Sequence, residues 1–86
     1  MLGVSFTAQF LKQLKDLNNN LQEEVLQKIE MLGNTNNHKI LKAHKLHGKL
    51  KGKFSCSVDY KTRIVFCYLN KNEISLLKVG DHDMYR

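Results

Sequence analysis

The sequence contains no proline, only two cysteines and no long apolar run. Its longest apolar stretches, such as Ile64–Leu69, fall far short of the ~20 residues that a membrane-spanning helix requires. The opening residues, MLGVSFTAQF, lack the basic start and the small-residue cleavage site of a secretory signal peptide. We therefore expect a cytoplasmic protein with no membrane partner. In a reducing compartment, Cys56 and Cys67 are expected to be packed thiols and not a disulfide framework.

Positive charge is confined to one part of the chain. Residues 38–63 carry eight of the fourteen lysines and arginines and a single acid, Asp59, for a formal charge of +7. Residues 1–37 sum to −1 and residues 64–86 to zero. The lysines of this basic segment, 38–63, are spread through glycine-punctuated sequence, which suits contact with a phosphate backbone. A solvated lysine surface with no partner remains the alternative.

Apolar periodicity predicts two helices in the first half. Thr7 is placed to cap the first, and the apolar stripe of that helix is Phe10, Leu11, Leu14 and Leu17. Asn20 and Glu23 resemble a capping box for the second, which we expect to end at Gly33. The short link between the two helices predicts an antiparallel hairpin.

The second half has the composition of strands. Lys53–Val58, Arg63–Leu69 and Glu73–Val79 are rich in β-branched and aromatic residues, and short turn-like segments separate them. Strands joined this tightly form an antiparallel meander, to which Gly3–Phe6 could add an edge strand. We therefore predict one α+β domain, residues 1–86. In it, a helical hairpin packs on one face of a three- to four-stranded, mainly antiparallel twisted sheet, and the basic segment links the two.

Three motifs follow the predicted helices in order. They are L-x-G-x-L-x-G at residues 46–52, an arginine that opens the central strand, and the ending G-x-H-x-x-Y at residues 80–85. Each is weak alone, but together with the helical hairpin and the strands they resemble the RelE/ParE superfamily of bacterial toxins, and this resemblance covers nearly the whole chain. The resemblance implies the toxin of a type II toxin–antitoxin pair, with a cognate antitoxin as partner. For the ribonuclease branch it implies metal-independent endoribonuclease cleavage of mRNA, commonly on the ribosome, with no cofactor.

The C-terminal motif supplies two catalytic candidates. His82 matches the position of a histidine or arginine in the ribonucleases of the superfamily, and histidine titrates where both acid and base roles are possible. Tyr85 matches their terminal aromatic residue and would stack on or bond to the substrate. The alternatives are an exposed turn histidine for His82 and an anchor of the tail to the sheet for Tyr85.

Arg63 matches the arginine of the superfamily, and its planar guanidinium can hold a phosphate with two hydrogen bonds. The structural alternative for this residue is a cross-strand salt bridge to Asp59 or Glu73. His44 matches a catalytic histidine of the YafQ-like toxins, whereas His47 has no such counterpart; a solvated loop position is the alternative for both.

The basic segment also supplies candidate RNA-binding lysines, which would hold phosphates electrostatically: Lys45, Lys49, Lys51 and Lys53.

The catalytic set is only partial. Ser55 and Ser57 stand where some ribosome-dependent members have lysines or a histidine, and Thr62 stands where an aromatic residue is frequent. A ParE-like toxin that inhibits DNA gyrase without cleaving RNA is therefore the second interpretation. His82 and Tyr85 argue against it, because a gyrase inhibitor has no need of acid/base groups at that end.

A metal site is the third interpretation. His44 and His47 have H-x-x-H spacing, and Asp81, His82 and Asp83 could add ligands. A lysine-rich segment disfavours a dication, so we expect no metal.

Overall fold

The computed structural model describes residues 1–81, in which two helices pack on one face of a five-stranded sheet. This confirms the predicted α+β architecture. The elements are β1 (Gly3–Phe6), α1 (Ala8–Lys15), α2 (Asn19–Leu32), β2 (His44–Lys45), β3 (Lys53–Ser57), β4 (Thr62–Asn70) and β5 (Glu73–Asp81). In this part of the chain, neither helix has the length and apolarity to cross a membrane.

Side-chain caps fix where the helices begin. The Thr7 hydroxyl accepts a hydrogen bond from the Phe10 amide at 3.1 Å, so the predicted cap of α1 is confirmed. The predicted cap of α2 is wrong by two residues. Asn18, whose backbone is extended, accepts from the Leu21 amide at 2.9 Å, whereas Asn20 already lies in the first turn. Three consecutive asparagines made the choice ambiguous, and the extended backbone at Asn18 decides it.

The sheet has the order β1-β5-β4-β3-β2. Strands β3, β4 and β5 form the predicted antiparallel meander, and the proposed N-terminal strand is confirmed as β1, which pairs with β5 in parallel. The basic segment is more than a linker, because its residues 44 and 45 form β2 opposite Ser55 and Phe54. This short strand raises the count to five, above the three to four predicted.

The core lies between the helices and the sheet. Phe10, Val25 and Leu32 come from the helices, and Ile64 and Phe66 come from β4; all five are at most 1% exposed. The burial of these aromatic and branched side chains is the main favourable term in the stability of so small a domain.

The two cysteines are free, as predicted. Cys56 is fully buried in the core, and burial raises the pKa of its thiol to about 12, although the nearby charge of Arg63 acts in the opposite direction. Cys67 is only partly buried.

The face of the sheet away from the helices is the face that carries charge. Cys56, Ile64 and Val79 are paired across β3, β4 and β5 and belong to the core under the helices. The neighbouring row, Ser57, Arg63 and Gly80, must therefore point to the opposite face, because side chains alternate along a strand. We call this the open face, although Ser55 and Val65 at its centre are only 0% and 2% exposed.

Candidate nucleic-acid interface

Arg63 lies near the start of β4 on the open face and is partly buried. Its Nη1 donates hydrogen bonds to the backbone oxygens of Asp59, at 2.6 Å, and Thr62, at 3.1 Å. Both of these hydrogen bonds come from the same nitrogen. The guanidinium is thus fixed through Nη1, and its Nε and Nη2 edge is the part that could meet an anion.

The β3–β4 turn that holds Arg63 is organised by the carboxylate of Asp59. Asp59 Oδ1 accepts hydrogen bonds from the amides of Lys61, at 2.9 Å, and Thr62, at 2.6 Å. Desolvation alone would raise the pKa of this carboxyl, but the hydrogen bonds from Thr62 and Lys61 and the charge of Arg63 outweigh it and lower the pKa.

Arg63 does not form the cross-strand salt bridge to Asp59 or Glu73 that was its structural alternative. Arg63 contacts the carbonyl oxygen of Asp59, while the Asp59 carboxylate is occupied by the turn amides. Glu73, the first residue of β5, pairs with Asn70 at the far end of β4 from Arg63. The structure therefore places Arg63 in a backbone clamp and not in a pair with the carboxylate of Asp59 or Glu73.

Strand register brings three of the predicted residues to the open face. Lys53, Ser55 and Ser57 alternate along β3, with Ser57 opposite Arg63 and Ser55 opposite His44. The four steps from Lys53 to Ser57 span roughly 13 Å at the usual strand rise. Arg63, His44 and Lys53 therefore lie on the same face of the sheet, within about the length of β3.

His44 is exposed, and its Nδ1 lies 2.8 Å from the backbone oxygen of Lys42. That contact orients the ring and leaves Nε2 for another partner. Lys42 itself has a positive φ of 57°, so the chain turns sharply just before β2.

The other lysine candidates surround the loop between β2 and β3. Lys45, Lys51 and Lys53 line a surface groove of about 430 Å³, together with His47 and Phe54. Lys49 is exposed in the short 3₁₀ helix, Gly48–Leu50, and does not line this groove. Three of the four predicted RNA-binding lysines are thus brought together.

The L-x-G-x-L-x-G motif has a conformational basis in this loop. Gly48 and Gly52 have φ values of +68° and +87°, and a Cβ added at either would find no heavy atom within 4 Å. Glycine is therefore required at both positions for backbone conformation and not for space. One left-handed glycine begins the 3₁₀ helix and the other follows its end, so that both fix the shape of the loop beside the groove.

His82 and Tyr85 lie outside the described residues. The described chain ends at Asp81, which pairs with Thr62, the neighbour of Arg63, and lies 3.7 Å from the ammonium of Lys61. Among residues 1–81, no group of three histidine, cysteine or acidic side chains is arranged to hold a metal ion.

The sequence predictions missed two residues of this region. The sequence predicts that Phe54 lies in a strand but not that it lines a groove with Lys45, because the pairing of β2 with β3 leaves no pattern in the sequence. The sequence pattern places Asp59 in the turn segment Asp59–Thr62 and offers it as a salt-bridge partner of Arg63, but it does not identify its carboxylate as the acceptor that organises the turn. An acidic residue three positions before the first residue of a strand is a recognisable signal for a side-chain-capped turn, and it could have identified Asp59.

Comparisons with known proteins bear on the fold. No family model matches the chain, and no curated protein matches it. Solved structures do. A YoeB/ParE toxin from Agrobacterium tumefaciens is 14% identical with a TM-score of 0.78, over 94% of this chain and 99% of the toxin. A chain of the YoeB–YefM toxin–antitoxin complex from Staphylococcus aureus is 19% identical with a TM-score of 0.74, over 95% of this chain and 98% of that chain. YafQ from Escherichia coli is 16% identical with a TM-score of 0.71, over 99% of this chain and 98% of YafQ.

These likenesses extend over almost the full length of both chains in each comparison. At such low identities they show the fold alone, which this chain shares with the YoeB/ParE, YoeB and YafQ toxin structures. The fold that the resemblance of the three sequence motifs implied is thus confirmed.

Proposed function

We propose that this protein is the toxin of a toxin–antitoxin pair and that it is a metal-independent endoribonuclease that cleaves mRNA on the ribosome. The observation that carries the proposal is that Arg63, held by the backbone of the turn, lies on the same face of the sheet as His44 and Lys53. A guanidinium held by the backbone at one nitrogen is preorganised for the non-bridging oxygens of a phosphate.

The chemistry requires three roles. A base removes the proton from the ribose 2′-hydroxyl, and the 2′-oxygen attacks the adjacent phosphorus. An acid then protonates the departing 5′-oxygen, which leaves a 2′,3′-cyclic phosphate and a 5′-hydroxyl. We assign Arg63 to the charge that develops on the phosphate, and His82 to proton transfer with His44 as the second candidate. Tyr85 would contact the substrate beside His82.

Partners follow from the same proposal. The Staphylococcus aureus relative is a toxin–antitoxin complex, which supports a cognate antitoxin for this chain. The lysines of the groove, together with Lys49, would contact phosphates of mRNA or of the ribosome, because mobile point charges suit a backbone whose sequence is not read.

Inhibition of DNA gyrase is the second candidate function. Ser55 and Ser57 leave the centre of the open face without basic side chains on β3, and one similar structure is described as a YoeB/ParE toxin. A protein of this kind would need the basic surface but no acid or base.

The test is incubation of the purified protein with mRNA, with and without translating ribosomes, followed by mapping of the cut sites. Wild type should cut, Arg63→Ala should cut far more slowly, and Lys15→Ala in α1 should behave as wild type. His82→Ala and His44→Ala identify the proton-transfer group, since the loss should be roughly 10²-fold or more at the true one. Intact mRNA together with inhibited DNA supercoiling would transfer the assignment to the gyrase inhibitor.

A further inference from the structure

The groove at the β2–β3 loop combines positive charge with an aromatic ring. Lys45, Lys51 and Lys53 line it beside Phe54, and no acidic side chain is among the described residues of its lining. Its volume of about 430 Å³ falls within the range of small-molecule binding sites. Charge of this kind selects an anion, whereas the ring favours a flat apolar or aromatic group.

Phe54 is supported from behind by other aromatic side chains. Its ring stacks on that of Phe66 with centroids 5.5 Å apart and an angle of 19°, and Tyr68 meets it edge-on at 5.3 Å. Phe66 is fully buried. On the other side, Phe54 pairs with the exposed Lys45 of the edge strand β2. The ring is therefore fixed at its inner side and partly exposed toward the sheet edge and the groove.

We infer that this groove binds one nucleotide of single-stranded RNA, with its base against Phe54 and its phosphate among the groove lysines. A positive groove with an aromatic platform is the common arrangement for single-stranded nucleic acid, because every base has a flat face and every nucleotide a phosphate. His47, exposed in the same lining, is placed to donate a further hydrogen bond to a phosphate or a base.

The inference rests on the proposed function for the identity of the polyanion, but it concerns a different part of the surface. Lys53 stands at one end of β3, and Arg63 in β4 pairs with Ser57 at the other end, roughly 13 Å further along the strand. Phe54 packs against the core on the helix side of the sheet, whereas Arg63 lies on the open face. The groove nucleotide would therefore not be the one that reacts, and the RNA would pass around the β2 edge of the sheet between the two. Stacking there would contribute to affinity more than to the choice of sequence.

The sequence contains no tryptophan, so Phe54→Trp creates a single fluorescent reporter within the groove. A 2′-O-methyl oligoadenylate hexamer, which cannot be cleaved by 2′-hydroxyl attack, serves as the probe. We expect it to quench and shift the indole emission of this variant as the base stacks. Phe6→Trp is the matched control, because Phe6 lies in β1 at the opposite edge of the sheet and is 54% exposed. Its indole emission should not change when the hexamer is added.

Polyphosphate and a hexaglutamate peptide separate base recognition from charge. Either should bind the basic surface without quenching the groove indole. Quenching as strong as that by the oligonucleotide would overturn the inference, and a response to hexaglutamate alone would point to an acidic peptide. Binding of the oligonucleotide to the Phe54→Trp variant, measured by anisotropy, with unchanged indole emission would also overturn it.

Phe54→Leu provides an independent measurement that does not depend on accommodating the larger indole. It keeps an apolar side chain against Phe66 and removes the stacking surface. Affinity for the hexamer should fall roughly 5- to 100-fold, while affinity for polyphosphate stays unchanged. Equal losses for both probes would contradict stacking. If mRNA is not cleaved and the groove indole is still quenched, the nuclease proposal fails and the nucleotide subsite stands.

Discussion

Arg63 shows how one side chain is committed partly to structure and partly to function. Its Nη1 holds the carbonyl oxygens of the β3–β4 turn, which restricts the rotamers of a long side chain before any ligand arrives. The sequence could predict the residue and its strand. It could not predict the clamp, because the two acceptors are backbone atoms that carry no side-chain signature.

We expect Arg63→Ala to lower RNA cleavage roughly 10²- to 10³-fold, the scale for loss of a preorganised donor to a charged transition state. Arg63→Lys should restore part of the binding but little of the cleavage, because an ammonium lacks the planar fork. Lys51→Ala is the matched control for charge and should weaken binding modestly, reducing the slope of affinity against salt by about 0.7 for a single-strand contact. Single-turnover rates and salt titrations check these expectations. Equal, salt-insensitive losses for Arg63→Ala and Lys51→Ala would contradict the division of roles.

Asp59 is predicted to stabilise the turn through its carboxylate. Asp59→Ala should lower the free energy of unfolding by about 1 kcal/mol, since two turn amides lose their acceptor, whereas Asp59→Asn keeps Oδ1 and should lose less. The folded state lowers the pKa of Asp59, so its contribution is complete above the ordinary carboxyl pKa and is lost as the pH falls through the lowered value. Urea unfolding at neutral and acidic pH tests this. A difference between wild type and Asp59→Asn that does not shrink in acid would contradict the assignment.

At the scale of elements, periodicity predicted α1, α2 and the β3–β5 meander, because each presents a repeated apolar face to one core. It did not predict β2. Two exposed residues, His44 and Lys45, carry no apolar alternation, and their pairing depends on the glycine-bracketed loop that returns the chain to β3. The bulge opposite Val65 and Phe66 was also missed, since one extra residue in a long strand leaves little trace in sequence.

The two left-handed glycines of the β2–β3 loop lead to an element-scale prediction. Gly48→Ala or Gly52→Ala should each destabilise the fold by about 1–2 kcal/mol, because alanine is strained at positive φ. Gly33→Ala is the control: Gly33 caps α2 at φ −62°, where the nearest contact of an added Cβ is an ordinary 3.5 Å. It should be neutral or slightly stabilising. Chemical denaturation of the three variants measures the difference, and similar stabilities would show that the loop conformation is not required.

At the scale of the whole molecule, charge is separated from the core by the sheet itself. The helices cover one face, and the open face carries Arg63, Lys53 and Lys78, which pairs with Val65 and stands on the same face as Ser55. The sequence already showed that residues 38–63 hold the net charge. Only the register shows that part of this charge gathers on a single surface. The C-terminal candidates His82 and Tyr85 stay predictions, because they lie beyond the described residues.

This distribution leads to a prediction for the proposed antitoxin, which should neutralise the protein by laying an acidic helix or strand across the open face and the groove. Long-range attraction between a +6 protein and an acidic partner accelerates encounter, whereas apolar contacts formed after docking hold the complex. Raising the salt from ~50 mM to ~500 mM should therefore slow association much more than it speeds dissociation. Stopped-flow association rates check this, with Lys15→Ala, a helix-side lysine, as the control against Lys51→Ala. Salt-independent association, or a complex in which Arg63 still binds RNA, would show that neutralisation occurs elsewhere on the molecule.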